Sequence, residues 1–193
     1  MTNRPTPPPG ELLYLLAGDD QDFVDTCADL LPADIAEGLN ELPREAAAKV
    51  LAALPFNTAV GVFDEPSLEA PAELVELLAD PVAIPIIQAM SADQQVRLFR
   101  DLKEADRGRL LHVLDAPTRD QLRLLMSYPP QSAGGLMTTE FVGVPAGWTA
   151  LDVRRHILKV GEAKETVYAI YVLEQKSQRL LRVISLREVV MAD

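Results

Sequence analysis

The sequence predicts a mainly α-helical protein, a superhelical stack of short helices in about twelve-residue repeats, followed by a small α/β half-domain. Two observations predict this fold. Apolar residues recur every twelve positions over about a hundred residues, and the pattern then changes to that of short strands and capped helices. We expect three segments: a flexible leader with a first helix over residues 1–19, a helical-repeat domain over 20–130, and a connector with the half-domain over 131–193.

Three columns of apolar residues define the repeat. The first is Leu30, Leu42, Leu54, Leu78, Met90, Leu102, Leu114 and Met126, with Pro66 as its exception; the second is Leu39, Leu51, Phe63, Val75, Ile87, Phe99 and Leu111; the third is Val50, Val62, Leu74, Ile86, Leu98, Leu110 and Leu122. A continuous helix turns roughly 100° per residue, so each column would wind around all of its sides. One long helix is therefore excluded.

Prolines mark the breaks between the repeat helices. Pro32, Pro43 and Pro55 follow column residues or their neighbours, where proline suits the first helical position. The column spacings within a unit place the apolar residues on one helical face. We expect helices of about eight residues joined by short turns, which must stack because each is too short to be stable alone. An irregular helical bundle is the alternative.

The charge of the chain argues against nucleic acid as a partner. The net charge is −11, and nucleic-acid binding needs a clustered positive surface. The segment from Glu11 to Glu45 carries ten acidic residues against Arg44 alone. Such a density of carboxylates is relieved by divalent cations where two or three oxygens converge on one ion. A solvated acidic face is the other interpretation.

No catalytic arrangement is visible in the sequence. Cys27 is the sole cysteine, which favours a reducing, cytoplasmic compartment, and it is predicted to be a small buried side chain. His112 and His156 are predicted to be surface or packing residues. A polar, proline-rich start from Met1 to Gly10 does not resemble a signal peptide, and no apolar run is long enough to cross a bilayer. We therefore do not expect an enzyme.

After Met126 the pattern predicts a strand, a helix, two strands and a final helix. The predicted elements are a small-residue connector at Ser132–Thr139, a strand at Phe141–Val144, a helix opened by a capping box at Thr149–Asp152, strands at Thr166–Leu173 and Leu180–Ile184, and a capping box from Ser185 to Glu188 that opens the last helix. An open sheet of three strands leaves edges that need a partner.

These residues resemble a known family, the MgtE-type magnesium transporters. The resemblance lies in the runs SYP (127–129), SAGGLMTTEFV (132–142), TVYAIYV (166–172) and SLRE (185–188), preceded by repeats with Leu-Pro junctions. It covers residues 20 to 193, whereas the short-helix repeats alone also resemble those of the flagellar motor switch protein. In the MgtE family, a helical domain is followed by a pair of CBS motifs, a connecting helix and a membrane pore. This chain resembles the helical domain and the first CBS motif.

The resemblance implies a regulatory region that senses Mg²⁺ and gates a pore outside this chain, on the cytosolic face of the plasma membrane. Asp93 stands where the family has one metal-binding acid, and Gly135 is expected to offer a backbone carbonyl. Arg97 stands where a second acid is frequent. A guanidinium at this position would repel the ion or pair with Asp93.

The resemblance also places nucleotide-binding residues at Ser185, Arg187 and Glu188. Two positions depart from the family pattern: Ala169 replaces a frequent aromatic residue, and Arg182 replaces a glycine that would let a ligand approach the backbone. Mg²⁺ is therefore the expected regulatory ligand, and ATP binding is not expected.

The partners that the resemblance implies are the remaining CBS and transmembrane domains of the transporter, with a homodimer formed through the CBS region. An alternative from another class remains open. The chain would then be a soluble helical-repeat scaffold that binds protein partners in its concave groove and has no role in transport.

Overall fold

The computed structural model describes residue 27 and residues 30–137, 139–160 and 167–192. The leader and first helix predicted over residues 1–19, and most of the acids before Leu30, lie outside these residues. The chain divides into two compact units, Met1–Leu136 and Met137–Asp193, and each has its own hydrophobic core. The fold class predicted from the sequence is confirmed.

The helical unit contains eight consecutive helices of seven to eleven residues between residues 32 and 126. They are α1 (Pro32–Asn40), α2 (Arg44–Ala53), α3 (Phe56–Asp64), α4 (Pro71–Leu77), α5 (Asp80–Ala89), α6 (Ala92–Asp101), α7 (Glu104–Val113) and α8 (Ala116–Met126). Most of them are somewhat longer than the eight residues that we predicted.

Two extended residues join most successive helices. Leu54, Leu78, Met90, Leu102 and Leu114 of the first column each end a helix as its C-cap with extended backbone, and the next residue is the extended N-cap of the following helix. The N-caps thus recur every twelve residues. Pro32 occupies the first helical position as predicted, whereas Pro43 and Pro55 are N-caps, one residue earlier than predicted.

The repeat is irregular where the first column has its exception. The helix after Pro66 begins late, at an N-cap, Ala70, whose φ of 48° lies in the left-handed region. An alanine in that region is strained by roughly 1 kcal/mol or more. The N-cap of α4 therefore lies three residues later than the twelve-residue repeat predicts, and this shift is accompanied by backbone strain at Ala70.

The apolar columns form the core of the helical unit. Every residue of the third column is at most 3% exposed, and the second column is at most 2% exposed until Leu111, which is half-buried. Helices pack mainly on the helix two further along the chain, in the pairs α1–α3, α2–α4, α3–α5, α4–α6 and α6–α8. This alternating packing makes the stack superhelical.

Polar contacts at a fixed separation of 27 residues link the repeats; we refer to them as the 27-residue ties. Each links the last turn of one helix to the turn before the helix three further on. The pairs are Asn40 with Ser67, Asp64 with Ser91, Glu76 with Lys103, and Gln88 with Asp115. The ties therefore follow the same twelve-residue register as the apolar columns.

The predicted connector contains one helical turn, α9 (Ala133–Leu136). Ser132 stabilises it, since its hydroxyl donates to the carbonyl of Pro129 at 2.7 Å and accepts from the N–H of Gly135 at 3.2 Å. A Cβ on Gly135 would lie 2.2 Å from the Pro129 carbonyl oxygen, and one on Gly134 would lie 2.5 Å from the ring of Tyr128. Both glycines are required by this close approach.

The C-terminal unit has the predicted order of strand, helix, strand, strand and helix. The elements are β1 (Val142–Pro145), α10 (Ala150–Val160), β2 (Ala169–Leu173), β3 (Leu180–Ser185) and α11 (Leu186–Met191). β1 pairs with β2 in parallel, and β2 pairs with β3 antiparallel. Both predicted capping boxes are present, at Thr149–Asp152 and at Ser185–Glu188.

A small core of Val142, Val144, Val153, Ile170 and Val189 holds the sheet against its helices. β3 is different, because Leu180, Leu181 and Val183 are 46% to 51% exposed. Within the described residues, no helix is long and apolar enough to cross a membrane.

Candidate functional site

The structure places a pair of carboxylates at the start of helix α6. Asp64, the last residue of α3, accepts hydrogen bonds from the backbone N–H of Ser91 at 2.8 Å and from its hydroxyl at 2.9 Å. Ser91 is the N-cap of α6, and Asp93 lies in the first turn of that helix. Helix N-termini favour negative charge, which explains why both acids are tolerated there.

The electrostatics of this pair are unfavourable without a cation. Burial raises the pKa of Asp64, the two hydrogen bonds from Ser91 partly offset that effect, and the negative charges of Asp93 and Glu65 raise it further. The carboxylates of Asp64 and Asp93 are therefore close enough to repel each other.

Asp93 is incompletely satisfied. Among the described residues, its buried Oδ1 atom has no hydrogen-bond partner, and its Oδ2 atom accepts a long bond of 3.4 Å from Gln94. A buried oxygen without a partner is unusual in a folded protein and indicates an available ligand atom.

Arg97 does not neutralise Asp93. Its guanidinium donates to the backbone carbonyl of Pro66 at 2.9 Å and to that of Leu68 at 3.4 Å. Among the described residues no ion pair joins Arg97 to Asp93, so of the two expected outcomes, repulsion of the ion or pairing with Asp93, the pairing does not form. The reason is geometric, since the irregular segment before α4 presents carbonyls that the guanidinium reaches.

The structure gives Gly135 a steric role, and it does not join this residue to Asp93. Gly135 donates its N–H to the Ser132 carbonyl at 3.0 Å, and it packs against the Pro129 carbonyl. Over the described ranges, no group of three or more His, Cys, Asp or Glu side chains is placed to hold a metal ion. The pair of Asp64 and Asp93 remains the place where an ion would relieve charge.

Sequence reasoning missed Asp64. The signal that identifies it is the tie register, because Asp64 precedes Ser91 by 27 residues, as Glu76 precedes Lys103. In the tie of Glu76 the cation of Lys103 balances the acid, whereas the tie of Asp64 contains only Ser91.

The three predicted nucleotide-binding residues lie together at the end of β3. The side chain of Glu188 accepts from the N–H of Ser185 at 2.7 Å and from its hydroxyl at 2.9 Å, and Arg182 lies 3.5 Å from the other carboxylate oxygen. These hydrogen bonds, followed by the charge of Arg182, hold the pKa of Glu188 below its usual value. Arg187 is exposed at the start of α11.

The neighbouring strand completes this cluster. Ala169 is the partner of Ser185 in the pairing of β2 with β3, and the carbonyl of Tyr168 accepts from the N–H of Leu186 at 3.0 Å. The ring of Tyr168 is 80% exposed. The strand pairing therefore brings the exposed Tyr168 and the capped start of α11 to the same end of strands β2 and β3.

Residues that could suggest other chemistry have ordinary environments. Cys27 is buried, and burial raises the pKa of its thiol to about 11, so it is unreactive at neutral pH. His112 is exposed. The ring of His156 packs edge-on against Trp148 with centroids 5.2 Å apart.

The fold defines a class of protein: a helical-repeat domain, a type of structure that recognises ligands and partners through its surface, followed by an α/β half-domain. A model of the family described as the MgtE intracellular N domain matches residues 30–131. The magnesium transporter MgtE of Thermus thermophilus is 32% identical over 182 residues, which cover 93% of this chain and 40% of that protein. The corresponding transporter of Bacillus subtilis is 25% identical over 94% of this chain and 40% of its own length.

Solved structures agree with these matches. A crystal structure of the cytosolic domain of the Mg²⁺ channel MgtE in complex with ATP superposes with a TM-score of 0.85 and 32% identity, over 93% of this chain and 73% of that one. The soluble part of a magnesium transporter shares the fold with a TM-score of 0.83 and 23% identity, over 96% and 75% of the two chains.

The chain belongs to the MgtE intracellular N domain family. It corresponds to the cytosolic domain of MgtE, and it spans about two fifths of the length of the curated relatives that it matches. The resemblance stated from the sequence is confirmed.

The expectation that ATP is not a ligand is contradicted, because the MgtE cytosolic domain at 32% identity was solved with ATP. The side chain of Arg182 is 69% exposed and lies 3.5 Å from the carboxylate of Glu188.

Proposed function

We propose that this chain is the regulatory region of a magnesium transporter, which senses Mg²⁺ in the cytoplasm and controls a membrane pore outside the chain. The observation that carries the proposal is the buried Oδ1 of Asp93, which has no partner and lies beside the carboxylate of Asp64. Mg²⁺ is commonly held by one or two carboxylates with several waters retained, and the pair fits that requirement.

In this proposal, Mg²⁺ regulates the chain by relieving the repulsion between the carboxylates of Asp64 and Asp93. Without the ion, Asp64 and Asp93 destabilise any arrangement that brings them close, and the net charge of −11 adds to that cost. With the ion, compact arrangements are favoured by the difference in ion affinity between the two states. Gly135 is proposed as a carbonyl ligand that reaches this site in the compact, ion-bound arrangement, and Arg97 is proposed as a cation that weakens binding.

The test is a comparison of Mg²⁺ with potassium chloride of equal ionic strength, using thermal unfolding of the chain. Screening acts on all charges, whereas chelation needs a divalent ion on converging carboxylates. At free ion about ten times the dissociation constant, binding adds roughly 1.4 kcal/mol of stability. Asp93→Asn and Asp64→Asn should abolish the Mg²⁺-specific part, and the exposed control Asp120→Asn should keep it. Equal shifts in the two salts would refute the sensor.

For the C-terminal unit we propose nucleotide binding at Ser185, Arg187 and Glu188, with the ring of Tyr168 against the base. Two observations support this site. Tyr168 and Ser185 lie at the same end of the paired strands β2 and β3, and the related MgtE cytosolic domain was solved in complex with ATP. Fluorescence titration with a nucleotide analogue should show that Arg187→Ala weakens binding about tenfold, while Arg155→Ala, on helix α10, does not. Equal binding by both variants would exclude this site.

We further propose the domain limits 20–130 and 131–193, a cytosolic location at the plasma membrane, and a homodimer formed through the C-terminal unit. The family match over residues 30–131 and the division after Leu136 support the limits. The exposed apolar residues of β3 support association. The remaining CBS motif and the transmembrane domain would be the other partners.

A further inference from the structure

The last two repeat helices enclose a groove with cationic walls. It has a volume of about 320 Å³ and is lined by Gly108, Leu111 and His112 of α7 and by Arg119 and Arg123 of α8. Both arginines lie on one face of α8, four residues apart, as do the three residues of α7. Among the described residues, no hydrogen bond or ion pair is made by the side chain of His112 or by that of Arg123.

The repeat register shows that this face is normally covered. The residues twelve, twenty-four and further multiples of twelve positions before Leu111 are the other second-column residues. Each of these is at most 2% exposed, whereas Leu111 is half-buried. The equivalents of Gly108 are apolar without exception: Ala36, Ala48, Val60, Ala72, Ile84 and Val96. In the earlier repeats, later helices of the stack cover these positions.

His112 also occupies a position that forms a 27-residue tie in earlier repeats, but its side chain forms none among the described residues. Its equivalents at Asp64, Glu76 and Gln88 each bond to the turn before the helix three further on. Within the helical unit no repeat helix follows α8, so His112 remains exposed. The groove is thus the open end of the stack, shaped by the same rules that accommodate a helix elsewhere in it.

Gly108 supplies an independent observation. A glycine inside a helix costs roughly 1 kcal/mol relative to alanine. A Cβ on Gly108 would meet nothing within 4 Å, so the described packing does not require it. Gly61, by contrast, is required, because its Cβ would lie 2.9 Å from Pro32. A bare helix backbone facing a groove is what close approach of a further element requires.

The charge of the residues that line the groove determines what kind of polypeptide segment can bind in it. The chain is acidic overall, yet His112, Arg119 and Arg123 converge here, with Glu104 one helical turn before Gly108. Within the described residues, the guanidinium of Arg119 makes one hydrogen bond, a long one of 3.5 Å to the carbonyl of Leu114, and its charge also acts on the exposed carboxylate of Asp115. Its other N–H groups remain available. An occupant must therefore present carboxylates toward α8 and apolar side chains toward Leu111.

We propose that this groove docks an acidic amphipathic helix of a partner polypeptide, in the place where the stack would otherwise continue. The helix packs on Gly108 and Leu111, and its carboxylates pair with Arg119 and Arg123. The helical unit is then an adaptor as well as an ion sensor, because the docking face lies on other residues than Asp64 and Asp93.

The test uses the whole chain and a labelled helical peptide of about sixteen residues, with leucines at i, i+3, i+4 and i+7 and glutamates along one flank. Fluorescence anisotropy should show saturable binding that weakens as salt is added. A second peptide with every glutamate replaced by glutamine should bind about tenfold more weakly. Equal binding of the two peptides would refute the charge recognition.

Protein variants locate the contact. Gly108→Leu fills the groove while it improves helix propensity, so it should abolish binding without unfolding the chain. The double change Arg119→Glu and Arg123→Glu should have the same effect, and the double change Lys49→Glu and Lys176→Glu, at exposed residues outside the groove, is the charge-matched control. Circular dichroism checks that each variant is folded. Unchanged peptide affinity in Gly108→Leu would overturn the proposal, as would arginine-dependent binding of pyrophosphate without binding of the peptide, which would indicate a small-anion site.

Discussion

The two units differ in how they cover their apolar surface. In the helical unit, the second-column residues from Leu39 to Phe99 are at most 2% exposed, because the helices pack on one another along the stack. In the C-terminal unit, Leu181 and Val183 of the edge strand β3 are close to half exposed. A stack of repeats is largely complete by itself, whereas an open sheet of three strands depends on what pairs with it.

The largest predicted effect is the loss of stability of the helical unit in Leu102→Asp. Leu102 is 2% exposed and lies at a helix C-cap, where the aspartate would bury an unpaired charge in a thin core. We expect a loss of more than about 4 kcal/mol, which would unfold the helical unit. Circular dichroism during urea unfolding measures it. The control is Leu77→Asp, at a side chain that is 48% exposed; similar losses at both sites would contradict the repeat core.

Gly135→Ala should have the next largest effect. Its Cβ would lie 2.2 Å from the Pro129 carbonyl oxygen, so the α9 turn must shift. We expect a loss of about 1 to 3 kcal/mol in thermal or urea unfolding of the helical unit.

Gly147→Ala is the matched control for this change, because nothing lies within 4 Å of its Cβ. A tolerated Gly135→Ala would show that steric crowding is not the reason for this glycine, and its proposed carbonyl role would become the main explanation.

The exposed strand can be tested by changing its surface. Leu181→Lys combined with Val183→Lys should weaken self-association of the chain by about tenfold or more, because charges disfavour burial of this apolar patch. Analytical ultracentrifugation over a range of concentrations measures the association. Val113→Lys, at a 44% exposed apolar residue of the helical unit, is the control. A wild-type chain that stays monomeric would contradict the proposed homodimer.

The smallest effect concerns pH. Since the pKa of Asp64 is raised in the folded state, the folded chain binds this proton more tightly than the unfolded chain does. Stability from this group is therefore lost as pH rises above the ordinary value of 3.8 through the folded pKa. Asp64→Asn should remove that loss. The free energy of urea unfolding of this variant, compared with that of the wild type, should therefore increase as pH rises through this window. Parallel curves would show that Asp64 is not perturbed.

Much of the fold could be predicted because the signals are local and repeated. Column residues such as Leu54 and Leu102 fix both the face of each helix and its end, and Ser185 with Glu188 fixes the start of the last helix. The late start of α4 at Ala70 and the helical turn after Ser132 were not predicted. The segment before Ala70 is held by Asn40 and Arg97, which bond to Ser67 and Pro66 from 27 and 31 residues away. The turn after Ser132 rests on local hydrogen bonds to Pro129 and Gly135. Periodicity encodes neither kind of contact.

The candidate site was less predictable. Asp93 was recognised by resemblance, but its unsatisfied oxygen and its neighbour Asp64 depend on the superhelical packing. The partner of Arg97, the Pro66 carbonyl, could not be predicted because it is 31 residues away in the sequence. Sequence spacing identifies residues on one helix face, whereas the partners across repeats emerge only when the stack is built.

The packing of each helix on the one two further along also determines how the helical unit folds. Contacts span roughly two repeats of sequence, so little chain entropy is lost before each contact forms. We expect this unit to refold within microseconds to milliseconds, and folding can nucleate at any adjacent helices and propagate outward. Helices α7 and α8 bury fewer residues than the earlier repeat helices, so we expect their amide hydrogens to exchange fastest and local opening to begin there.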